Sequence, residues 1–162
     1  MQSSMNQFDQ RQAEVVRRNE TPFAALSLRR TALVALTANA FTNITWQTQI
    51  RGIGITWNGT TTITIPTAGY YSVSLSYATS ATTNSVVSIV VNGTIALNMG
   101  AITATTIPTT AYHSTITRYF NTADTFTVRI YSTNAVNLVA NAEHTSSESP
   151  ILHVVQLTGA IP

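Results

Sequence analysis

The chain contains no cysteine and no lysine. The first absence excludes disulfides, zinc–thiolate centres and thiol nucleophiles, and it carries no signal about redox compartment. The second, with acids also few, leaves charged residues at only 9% of the chain. Lys and Glu are good surface helix formers, so their scarcity argues against a helical protein. Long apolar runs are missing as well. The opening stretch MQSSMNQFDQRQAEVVRR scatters its charges, which predicts neither a secretory leader nor a membrane-crossing helix; the mature protein is expected to be the whole chain. No segment recurs with a period of about 20 to 50 residues, which disfavours solenoids and propellers.

Threonine is what the chain has in quantity, 29 of 162 residues. Thr and Val are stiff at χ1 and favour strands. With 44% hydrophobic residues the sequence can bury a core, unlike a disordered chain, and its length suits about one domain. Regular Thr-x-Thr ladders can order ice, but TTTITI and STITR lack the fixed repeat this needs, so threonine is expected on ordinary solvent-facing strand positions.

The eight basic residues are all Arg, and their placement decides against a nucleic-acid partner. Residues 1–30 hold five (Arg11, Arg17, Arg18, Arg29, Arg30) against Asp9, Glu14 and Glu20, a net of +2. Residues 31–162 hold three (Arg51, Arg118, Arg129) against Asp124, Glu143 and Glu148, a net of zero. A phosphate-binding face needs clustered cations, and this body has none. The pairs Arg17-Arg18 and Arg29-Arg30 suit an acidic protein surface. Sequons at Asn19, Asn43, Asn58 and Asn92 are what chance supplies where Thr is this common.

A composition shift near residue 31 predicts an N-terminal arm over 1–30 and a folded body over 31–162. In the arm, Phe8, Ala13, Val15 and Val16 make no i, i+3, i+4 stripe, Thr21-Pro22 ends any short helix, and Phe23 to Leu28 offers apolar anchors. The body alternates apolar and polar residues in short runs, the pattern of an all-β sandwich of about ten antiparallel strands. In GYYSVSLSYA, Tyr71, Val73, Leu75 and Tyr77 are expected inward, and Tyr70, Ser72, Ser74 and Ser76 outward. In TFTVRIYS, Phe126, Val128 and Ile130 are expected inward, with Thr127, Arg129 and Tyr131 outward. Asn58-Gly59 and Asn92-Gly93 predict tight hairpins.

Several landmarks then occur in a telling order: TALVAL, a segment around Trp46, GITWNGTTTITIPTAGYYSVSLSYA with its Pro-x-x-Gly-Tyr-Tyr corner, VVSIVVNGTIAL, TRYFNTADTFTVRIY, and SPILHVVQLTG. Over residues 32–159 this order resembles the tumour necrosis factor and complement globular head superfamily, as found in phage capsid decoration proteins. The resemblance implies a ten-stranded jelly-roll β-sandwich that forms compact homotrimers, with TALVAL as the opening strand. It also implies that the closing strand meets the threefold axis, where copies of Tyr119 or His153 would stack. Two features depart from the family: Ala123 precedes Asp124 where a Gly is usual, and the calcium-binding acidic loops of some relatives have no counterpart.

Catalytic chemistry is not expected. His113, His144 and His153 are spaced 31 and 9 apart, unlike a zinc pair on one helix, and no nucleophile–base constellation occurs. No cofactor or metal is expected. The function expected is structural: a trimeric capsid decoration (cement) protein on the surface of a virion, assembled in the host cytoplasm, with the major capsid protein as partner and no membrane or nucleic acid. The expected capsid-contact residues are Arg11, Arg17, Arg18, Phe23, Leu26, Leu28, Arg29 and Arg30, and the expected trimer interface is Tyr119 and His153. The alternatives are a receptor- or glycan-binding head of a phage fibre or similar filament, and a soluble cytokine-like or lectin-like ligand.

Overall fold

The computed structural model describes residues 23–102, 112–139 and 150–159, and these form strands and turns with no helix among them. In chain order the strands are β1 (Ala25–Arg29), β2 (Val34–Leu36), β3 (Ala40–Asn43), β4 (Thr48–Ile53), β5 (Thr56–Trp57), β6 (Ile63–Thr64) and β7 (Gly69–Tyr77). They continue as β8 (Ser85–Val91), β9 (Ile95–Ile102), β10 (Tyr112–Phe120), β11 (Thr125–Ser132), β12 (Val136–Leu138) and β13 (Ile151–Gly159). Two five-stranded sheets, in the orders β10-β7-β13-β1-β4 and β5-β6-β11-β8-β9, face each other, and β12 pairs with β2 beside them. The chain is an all-β jelly roll, and the two sheets together hold the ten antiparallel strands expected.

Alternation places the core. On β7 and β11 every second residue, Tyr71, Val73, Leu75 and Tyr77 with Phe126, Val128 and Ile130, is buried, as the period of 2 requires. Leu152 and Val154 on β13 and Val87, Ile89 and Val91 on β8 extend the two inner faces. Between them Phe120 meets Tyr71 edge-on at 5.9 Å and Phe126 at 5.5 Å, ring arrangements that add to plain burial. Two buried tyrosine hydroxyls are satisfied locally, whereas the Ser114 hydroxyl is buried without a partner among the described residues. Tyr71 donates to the Thr67 carbonyl at 2.7 Å, and Tyr77 shares a 2.7 Å bond with Ser85 that only partly offsets burial, so the Tyr77 phenol is pushed up to about 12.

Turns follow the residue chemistry in part. Asn92 (φ 50°) and Gly93 (φ 71°) both take positive φ between β8 and β9, as an Asn-Gly hairpin demands. Asn58-Gly59 differs: only Gly59 is left-handed, while the Asn58 Oδ1 accepts from the amides of Thr60, Thr61 and Thr62. Ala123, which stands where the resembled family has Gly, is itself left-handed at φ 67°.

The sheets also correct the expected boundary. The opening strand is ALSLR at β1, not TALVAL, and it runs between β13 and β4 with partners on both sides. Leu26 and Leu28 lie on its inner face and are fully buried, so they are core residues and not anchors for a capsid. The described fold therefore begins at Phe23 rather than at residue 31. The TALVAL segment supplies β2, a short strand paired with β12.

Candidate functional site

The surface with the least explained composition is the outward face of the β10-β7-β13-β1-β4 sheet. Strand pairing arranges its side chains in rows. One row reads Thr115, Ser74, His153, Ser27 and Arg51 from β10 to β4. The next reads Thr117, Ser72, Val155, Ala25 and Ile53. Beyond it Tyr119 stands opposite Tyr70, their rings 5.4 Å apart and nearly perpendicular. In the other direction His113, Ser76, Ile151, Arg29 and Thr48 form a row.

The face thus has an aromatic and aliphatic end, a hydroxyl middle and a basic end. Tyr70, Tyr119, Val155 and Leu157 are all exposed, at 50%, 41%, 40% and 45%. Leu157 keeps the outward parity of His153 and Val155 and sits at a β-bulge between Gln156 and Thr158, where the pairing with β7 shifts register. Arg29, Arg51, His113 and His153 populate the basic side, and no acid joins them: Asp124 is the one acid among the described residues and lies in the turn before β11. His153 Nδ1 and Ser27 Oγ share a 2.8 Å hydrogen bond across β13 and β1, which orients the imidazole along the sheet.

Of the expected site residues, Tyr119 and His153 both lie on this face but in different rows. Their partners on β7, Tyr70 and Ser74, are four residues apart, a separation of roughly 13 Å along an extended strand, so the two do not form one cluster. Phe23 is exposed at 62% where the described chain begins, and Arg29 stands half-buried on the outward face. Arg30 is otherwise employed. Its guanidinium donates to the carbonyls of Ala32, Leu33 and Thr45 and to the Thr45 hydroxyl, clamping the chain after β1, so four of its five N–H donors are engaged within the fold. Arg11, Arg17 and Arg18 lie outside the described residues.

Tyr70, Val155 and Leu157 were not among the expected interface residues. Tyr70 lies on the outward set of β7, and Val155 and Leu157 share the parity of His153 on β13, which was the available signal. Among the described residues no three His, Asp or Glu side chains gather as a metal site. No helix there is long and apolar enough to cross a membrane. Such a face can do one thing well, which is to be covered by another surface.

No protein-family model matches the chain, and no curated protein matches it in sequence. Solved structures do match in fold. Murine APRIL at pH 8.5 superposes with a TM-score of 0.60 at 18% identity, covering 84% of this chain and 100% of that one. The globular domain of zebrafish complement 1qA gives 0.54 at 7% identity, covering 85% and 99%. Eiger TNF from S. frugiperda gives 0.54 at 16% identity, covering 87% and 96%. The resemblance in fold to the tumour necrosis factor and complement globular head superfamily therefore holds over most of the chain.

Proposed function

We propose that the chain is a non-enzymatic structural protein of a virion, a homotrimeric decoration protein that stabilises a phage head by attaching to its major capsid protein. The observation that carries this reading is the outward face just described, where Tyr70, Tyr119, Val155 and Leu157 stand exposed beside residues that include no acid. Clustered exposed apolar side chains on a sheet mark a surface that another copy or partner covers. A closed threefold ring covers all three copies at once and leaves no open edge to propagate. The jelly-roll likeness supports the trimer, because the resembled superfamily associates through this layer.

Attachment to the capsid is assigned to the segment ending at Phe23, which carries Arg11, Arg17 and Arg18 and retains one large exposed apolar side chain at its end. Leu26, Leu28 and Arg30 drop out of that assignment because the fold uses them. The location that follows is the capsid surface, reached after assembly in the host cytoplasm.

Sedimentation tests the trimer: the protein should run at about three times 17.5 kDa, and Val155→Arg, which places a cation in the apolar row, should run as a monomer. A wild-type monomer at micromolar concentration overturns the trimer. The chain lacking residues 1–22, incubated with purified capsids, should stay trimeric and fail to bind. Full decoration by that truncated chain overturns the arm assignment. Attachment of the intact chain to cells or glycans in place of capsids favours the receptor-binding head.

A further inference from the structure

The opposite face of the molecule, the outward side of the β5-β6-β11-β8-β9 sheet, carries one cation among the described residues and an unusual setting for it. Arg129 stands at its centre, opposite Ser88 on β8, which in turn faces Asn98 on β9. Its Nε donates to the Ser88 hydroxyl at 3.0 Å, and Ser88 is completely buried beneath it. Its guanidinium carbon lies 4.0 Å from the centroid of the Phe41 ring, contributed by β3. Phe41 in turn packs against Tyr131 at 5.4 Å, and the Tyr131 hydroxyl donates to Asn39 Oδ1 at 3.3 Å.

Two independent contacts therefore fix the plane of this guanidinium. Its two terminal nitrogens make no hydrogen bond among the described residues, and neither is sealed from solvent. Among the described residues the charge is also unbalanced. Asp124, the one described acid, lies five residues back along the strand, roughly 16 Å away, with its oxygens engaged by Asn92 and Asn121. A solvated arginine that merely aids solubility has no need of a buried hydroxyl and a stacked ring to hold it. A pre-oriented, unpaired fork is the arrangement that recognises a planar anion.

The surroundings narrow the class of anion. The side chains that flank Arg129 on this face are Thr127, Tyr131, Val86, Val90, Asn98 and Phe41, and none is charged. A dianionic phosphate would be left half-compensated by one arginine. A monocarboxylate is matched by it. Ring surface on the exposed Phe41 and the half-buried Tyr131 suits the apolar face of a pyranose, and the Asn and Thr side chains offer neutral donors and acceptors for hydroxyl groups.

The geometry points to Arg129 as the anchor of a binding site for a carboxylated sugar, a sialic or uronic acid unit of a glycan, with Phe41 and Tyr131 as its stacking platform. The site lies on the sheet that the proposed trimer leaves uncovered, and it depends on neither the trimer nor the capsid partner.

The test follows the Arg129 Nε–Hε resonance of the intact protein by NMR during titration with sialyllactose and with a galacturonic acid disaccharide. Lactose and the methyl ester of each acid serve as neutral controls. One acid sugar should shift the resonance and its ester should bind roughly ten- to a hundredfold more weakly, the loss expected for a charge-assisted bidentate pair. Arg129→Gln should lose the same factor and become indifferent to esterification, and Arg129→Lys, which keeps the charge but not the fork, should fall between. Thermal melts of the variants within a few degrees of the wild type show that the fold persists. Equal affinity for acid and ester, unchanged binding by Arg129→Gln, or a resonance moved by inorganic phosphate or a glutamate-rich peptide but by neither sugar overturns the site.

Discussion

Leu28→Ala should lower the free energy of unfolding by about 2–5 kcal/mol. The magnitude follows from its place. Leu28 has no exposed surface, pairs across to Leu152 on β13, and sits on a strand hydrogen-bonded on both sides. Removing three side-chain carbons forfeits roughly 2.4 kcal/mol of transfer free energy at about 0.8 per methylene-sized group. A strand held by two ladders cannot collapse into the gap, so the cavity adds to that loss. For a domain of this size each kcal/mol shifts the melting temperature by about 2–4 °C, which gives a fall of roughly 4–20 °C. Urea unfolding followed by tryptophan fluorescence, at matched protein concentration so that self-association is constant, measures it. Phe23→Ala, at an exposed position two residues before β1, is the control and should change stability by no more than about 0.5 kcal/mol. If Leu28→Ala costs less than about 1 kcal/mol, or no more than Phe23→Ala, then β1 is not part of the core and the fold begins later in the chain.

Ala123→Gly should stabilise the protein by about 1 kcal/mol, because Ala123 holds φ 67° in a region where a Cβ is penalised; a lower urea midpoint for the variant contradicts the strain. Asp124 gives a pH signature. A hydrogen bond from Asn92 Nδ2 to its carboxylate at 2.8 Å, with another from the Asn121 amide, holds its pKa below the usual value. The stabilisation is therefore complete above the ordinary carboxylate pKa and is lost as pH falls through the lower folded value. Asp124→Asn should be less stable than wild type at neutral pH and converge with it in acid, whereas a pH-independent difference would refute the assignment.

Sequence pattern resolved the strands buried on one face and missed those held by other means. β7 and β11 alternate strictly and their inward sets are the buried ones. β4, TQIRGI, is exposed along most of its length, because an edge strand paired to β1 needs no apolar face of its own. β1 alternates just as β7 does, but it is short, ends at Arg29 with Arg30 directly after it, and follows a charged stretch, so composition outweighed its pattern. The outward face had the same fate. Parity identifies which residues of a strand point outward, while the register between β7 and β13, set by pairing between residues some eighty apart, decides which of them share a row. That is why Tyr119 and His153 were readable as members of a face but not as occupants of different ends of it.

The two outward faces make opposite demands, and together they give the proposed assembly its logic. One carries exposed Tyr, Val and Leu beside hydroxyls and cations with no acid, which suits burial against copies of itself. Among its described residues the other is neutral apart from one immobilised arginine, which suits a small, singly charged ligand. A single carboxylate–arginine contact on a flat sheet is weak, because most of the ligand stays in water. A trimer closed through the first face presents the second three times, and a polyvalent glycan then binds its second and third units as intramolecular events, with avidity exceeding the single-site affinity by about 10²- to 10⁴-fold where spacing allows. Val155→Arg should therefore reduce binding to a polysialylated surface while leaving the affinity for free sialyllactose unchanged. Loss of both together would place the sugar at the subunit interface rather than at Arg129.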